Sequence, residues 1–105
     1  MDCEVCIDSV QSALEAEKGG AIRVELCDNL FEGELIIFFY WLEGGTTPSA
    51  GMIFQVRKNI PNLKMHVLIR PRGGDLCYSD LEKEVMKHDI ELCKSYKVNQ
   101  HPFIM

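Results

Sequence analysis

The chain has 105 residues, of which 47% are hydrophobic and 26% charged, a balance that suits one soluble globular domain with a small core. Its net charge of −5 excludes a generic nucleic-acid surface, because phosphate binding needs a clustered basic face. The greasiest run, residues 35–42, falls far short of the roughly 20 residues a membrane helix requires. Five cysteines behind a start with neither a basic nor an apolar leader point to reduced thiols in the cytoplasm, or the nucleus with it.

In chain order, residues 4–8 read as a short strand, and Asp8 or Ser9 caps a helix carrying Val10, Ala13, Leu14 and Ala16 until Gly19 and Gly20 end it. Residues 23–27 form the second strand. Pro48 and Ser49 start the next helix, with Met52, Ile53, Val56 and Ile60 as its apolar stripe, and Pro61 closes it. Residues 65–69 are apolar enough for a buried third strand. Ser79 and Glu82 form a capping box for a last helix over 80–96, which is expected to bury Leu81, Val85, Met86, Ile90 and Cys93. Strands alternating with helices at this spacing indicate right-handed βαβ units and a parallel sheet, an α/β fold.

Period-two alternation sorts the strand residues into two faces. Val5, Ile7, Val24, Leu26, Val67 and Ile69 belong under the helices. The opposite face takes Glu4, Cys6, Asp8, Glu25 and Cys27, then His66, Leu68, Arg70 and Arg72, a polar lining unusual for a sheet. Cys6 and Cys27 sit near the ends of adjacent strands, whose spacing of about 4.8 Å lets their sulfurs meet. Two soft thiolates on rigid strands suit Cu(I) better than Mg²⁺ or Ca²⁺. The same placement also suits two apolar fillers or a disulfide.

Residues 69–75 put two arginines and two glycines where the third strand runs out, the end at which α/β folds bind ligands. Arg70 and Arg72, with Gly73 and Gly74, are the candidate anion-binding group. Glu25 and Arg70 are the candidate catalytic pair of an enzyme acting on a small anion. Gly44 and Gly45, just before the helix start, offer further backbone donors. The structural alternative is that a buried Arg70 is paired by Glu4 or Glu25, since its guanidinium cannot lose its proton. Weaker candidates are Cys77 on the same loop, the Cys3 and Cys6 pair whose spacing on a strand sends them to opposite faces, His66 as a core residue, solvated His88, and His101.

Glu4-Val5-Cys6-Ile7-Asp8-Ser9, then Gly19-Gly20-Ala21-Ile22-Arg23-Val24-Glu25-Leu26-Cys27, then Glu43-Gly44-Gly45-Thr46-Thr47-Pro48-Ser49, and finally Arg70 to Asp75 with Tyr78-Ser79-Asp80 resemble the successive N-terminal motifs of the CutC copper homeostasis family. The resemblance covers most of residues 4–96. It implies a TIM-type barrel, and a complete one takes roughly 250 residues. The chain therefore looks like the first third: a partial (β/α) barrel of about three βα units. The resemblance further implies an intracellular copper homeostasis protein, Cu(I) as the bound ion, and Cys6 and Cys27 as its ligands. Against the family pattern, residues 31–42 look inserted into a domain over 1–96, and residues 97–105 form a divergent tail. Both departures resemble an alternative or incomplete transcript, so an inactive truncated isoform is a further expectation. Self-association is expected as well, because about three strands cannot close a barrel and residues 35–42 add an apolar stretch.

Overall fold

The computed structural model describes residues 4–28 and 45–96 and the strand at 103–104. The stretch 31–42, residues 97–102, and the candidates Cys3, Gly44 and His101 lie outside the described residues. The order is β1 (Glu4–Ile7), α1 (Val10–Lys18), β2 (Arg23–Leu26), α2 (Ala50–Asn59), β3 (Lys64–Ile69), α3 (Asp80–Ser95) and β4 (Phe103–Ile104). The strands make one parallel sheet in the order β1-β2-β3-β4. Within the divergent tail, Phe103 and Ile104 pair with Leu68 and Ile69 and extend the sheet beyond β3.

Each helix begins where a side chain supplies the missing acceptor for its first free N–H groups. Ser9 caps α1 through a reciprocal box with Ser12, its Oγ accepting from the Ser12 N–H at 3.0 Å. Ser49 Oγ accepts from the Met52 N–H at 3.1 Å to start α2. Ser79 and Glu82 close the box that sequence predicts for α3, with the Ser79 N–H donating to Glu82 Oε1 at 2.9 Å. Arg57, at the end of α2, ties the turn into β3 by donating to the Ile60 carbonyl at 2.6 Å and the Leu63 carbonyl at 2.5 Å.

The helices cover one face of the sheet. Ile7, Val24, Leu26, Met65, Val67 and Ile69 meet Ala13, Ile53, Val56, Ile60, Met86 and Cys93 in a single core, as the alternation predicts. Two members of the expected α3 stripe do not join it. Leu81 is 82% exposed and Val85 50% exposed. At about 100° per residue, Leu81 and Val85 lie roughly 130° around the helix from Met86, Ile90 and Cys93. Five apolar positions thus form two stripes, and β3 can receive only one.

Candidate metal centre

The face turned away from the helices is set by register. Pairing Cys6 with Glu25 and Glu25 with His66 puts a thiol, a carboxylate and an imidazole side by side across three strands. Cys27 follows Glu25 by two residues and returns to the same face. The result is a cluster in which Cys6 Sγ, a Glu25 carboxylate oxygen and Cys27 Sγ all lie within 4.8 Å of one another. The predicted pair of cysteines is therefore brought together. Glu25, which sequence reasoning assigned to acid/base work beside Arg70, joins them as a third donor. The signal that finds it is the parallel register, which no single strand carries.

All three groups are held toward their neutral forms. Burial, then the Glu25 carboxylate beside it, raises the Cys6 thiol above its ordinary value. Burial, then Cys6 and Glu25, pushes the Cys27 thiol up to about 12. Burial, then the nearby Glu4 carboxylate, raises Glu25. As anions the three groups would repel one another in this partly dry site, and a cation among them would relieve that repulsion. The site is lopsided: Cys6 is exposed, whereas Cys27 is 2% exposed.

Below this row, Glu4 has the Arg23 guanidinium Nε at 3.2 Å and the His66 imidazole Nδ1 at 3.3 Å. The pairing expected between Arg70 and a strand carboxylate thus takes another form. Arg70, just past β3 and 5% exposed, donates from Nη1 to the Gly45 carbonyl at 3.0 Å and from Nη2 to the Gly74 carbonyl at 2.9 Å. Gly74 has φ of +91°, a conformation that glycine adopts without strain. Gly45, read from sequence as a backbone donor, is here an acceptor. It also packs so closely that a Cβ would stand 3.1 Å from Cys27 Cβ and 2.9 Å from Leu68 Cδ2.

Arg72, a predicted anion-binding residue, is engaged by its own loop in this structure. Its Nε donates to Glu82, Nη1 to the carbonyls of Gly73 and Asp75 at 3.0 and 2.9 Å, and Nη2 to Asp75 Oδ1 and the Cys77 carbonyl at 3.2 and 3.0 Å. Those are all five donors a guanidinium owns, so none is left to grip an anion. Its plane also lies over Tyr78, 5.3 Å from the ring centroid. Arg72 pins the loop to the start of α3, and the Gly73 and Gly74 carbonyls serve the two arginines. Nearby, a cleft of about 560 Å³ runs between the start of α2 and α3, with Arg70 on one wall and Asp28 and Asp89 on others. Those carboxylates oppose an anion there. Cys77 faces solvent on the loop and Cys93 is buried in the core, so neither belongs to the cluster.

Residues 1–101 match the sequence profile of the CutC family. The chain is 55% identical over 93 residues to the copper homeostasis protein cutC homolog of Mus musculus, covering 89% of this chain and 30% of that protein. Identity to the protein of the same name from Homo sapiens is 54% over 93 residues, with the same coverage. Among solved structures, the putative copper homeostasis protein CutC from Streptococcus agalactiae superposes with a TM-score of 0.75 at 31% identity, covering 99% of this chain and 44% of that one. The chain spans about a third of the length of the curated relatives it matches. The parallel α/β sheet and this likeness agree with a partial TIM-like barrel.

Proposed function

Since the chain belongs to the CutC family, we propose that it is a copper homeostasis protein that binds Cu(I) through the Cys6 and Cys27 thiolates, with the Glu25 carboxylate beside them. The observation that carries this reading is the convergence of the three donor atoms within 4.8 Å. Soft thiolates select Cu(I), and two of them satisfy its low coordination number without a tetrahedral set. The exposed Cys6 side gives the ion a way in, and Cys27 supplies a fixed ligand. No helix among the described residues is long and apolar enough to cross a membrane. The reading places the protein in a reducing compartment such as the cytoplasm or nucleus, where the thiols stay free.

The competing reading, a barrel enzyme acting on a small anion with Glu25 as base and Arg70 as anchor, is weaker on geometry. Glu25 lies level with His66, and Arg70 is four residues further along the chain, about 13 Å at strand rise. Arg72 has no donor left, and carboxylates line the adjoining cleft. A competition titration with a Cu(I) chelator under reducing conditions decides the matter. Wild type should take up one Cu(I), and Cys6→Ser, Cys27→Ser and the double variant should lose it. Full stoichiometry in the double variant would remove the assignment. Should wild type bind no copper while folding cooperatively, the inactive-isoform reading takes its place.

A further inference from the structure

We infer that Arg70 is a positioning residue for the Cys27 thiol, acting through residues 45–47 as a strap that it ties down. Only the effect on copper affinity rests on the copper reading. The seating of the thiol stands on geometry alone. The strap is fixed at both ends of the adjacent strands. On the β2 side, Thr46 and Asp28 exchange two backbone hydrogen bonds, each 2.9 Å. On the β3 side, the Thr47 N–H donates to the Arg70 carbonyl at 3.0 Å, and the Arg70 N–H donates to Thr47 Oγ1 at 2.8 Å. Nη1 of Arg70 then reaches over the strap to the Gly45 carbonyl at 3.0 Å.

The consequence falls on Cys27, the residue before Asp28. With Gly45 held by its carbonyl on one side and by Thr46 on the other, its backbone lies against Cys27 and Leu68 with no room for a Cβ. Cys6 and Cys27 share one face of the sheet, yet one is exposed and the other 2% exposed. Gly45 is part of what makes the difference. Arginine suits this task because its rigid fork holds two carbonyls at once, here Gly45 and Gly74, which a lysine ammonium on a flexible stem does less well. Arg70 thus joins the loop after β3 to the metal centre without touching the ion.

Cysteine alkylation of the pre-reduced chain, read by mass spectrometry, tests this with an internal control. Cys93 is 1% exposed and sits in the core on the other face of the sheet, so it reports global opening. Arg70→Met should raise the Cys27 alkylation rate about tenfold or more relative to Cys93, the ratio expected when a hydrogen bond to a charged group is lost. Thr47→Val, which removes only the hydroxyl, should move the same ratio by a smaller factor, and Arg70→Lys should restore part of it. Where wild type binds Cu(I), Arg70→Met should weaken binding about 10–100-fold with both cysteines intact. A wild type without Cu(I) affinity removes the copper reading and leaves the alkylation ratio as the test of the strap. Cys27 protection unchanged in both Arg70→Met and Thr47→Val, or Cys93 opening in step with Cys27 in both, overturns the inference.

Discussion

Glu82 accepts from the Ser79 N–H with one carboxylate oxygen and from Arg72 Nε with the other, so a single side chain both caps α3 and anchors the loop after β3. The Ser79 bond, then Arg72, holds Glu82 below its ordinary 4.5. The Cys77 N–H, then Arg72, holds Asp75 below 3.8. A depressed carboxyl contributes stability that is full above its unfolded value and fades as pH falls through the folded one. Hydrogen exchange should therefore show residues 72–82 loosening first below about pH 4.5, while β2 and β3 stay protected. Arg72→Ala should produce the same local loosening at pH 7. If that variant leaves exchange over 72–82 unchanged, Arg72 does not hold the loop.

Glu25 has the opposite sign. Its carboxyl is raised above 4.5 by burial and by Glu4. The fold therefore prefers it protonated, and its ionisation weighs against the folded state as pH rises through the unfolded value. Glu25→Gln should raise the unfolding midpoint of the metal-free protein at pH 7 and shrink the extra stabilisation that Cu(I) provides. Thermal melts with and without Cu(I) read both. A variant that is less stable without metal would assign Glu25 a structural role.

Copper uptake should release protons. Both thiols are raised, Cys27 to about 12, so each carries its proton at pH 7 and must lose it to become a ligand. Two protons released per ion make the apparent affinity climb about a hundredfold per pH unit. Titration calorimetry in buffers of different ionisation enthalpy counts those protons. A count near zero would mean that the ion is not held by two thiolates.

The second apolar stripe of α3 bears on association. Leu81 and Val85 are exposed, and among the described residues three parallel strands with a two-residue fourth do not close on themselves. Leu81→Glu should reduce concentration-dependent self-association in sedimentation velocity. Because the site is exposed, it should change folding stability by no more than about 0.5 kcal/mol. A wild type that stays monomeric across the concentration range would dismiss this surface as an interface.

The parts of the molecule written in local chemistry were legible in the sequence. Ser9, Ser49 and Ser79 announce three helix starts, and alternation along 4–8, 23–27 and 65–69 sorts core from lining. The placement of Cys6 with Cys27 follows from the same alternation. What escaped depends on relations between segments. Glu25 joins the thiols because β1 and β2 pair in a register that puts Cys6 opposite Glu25. The loop contacts of Arg72 escape a sequence reading because its partners are mostly carbonyls, and every residue has one. The Leu81 and Val85 stripe was misplaced because the sequence shows that a helix is apolar on two sides before it shows which side meets the sheet.

The two-bond bridge between Asp28 and Thr46 brings the chain back to the place from which it leaves β2. Such a closed neck separates the length of an excursion from the geometry of the barrel. The entropic cost of closing a loop grows only with the logarithm of its length, about 0.6 kcal/mol for each doubling. Each doubling of the chain between Asp28 and Gly45 therefore costs less than one buried leucine contributes, with Cys27 on one side of the neck and the strap to Arg70 on the other held in place. In engineering terms this is an insertion port: a peptide tag or a reporter domain spliced between Asp28 and Gly45 should leave both anchors of the candidate metal centre where they stand.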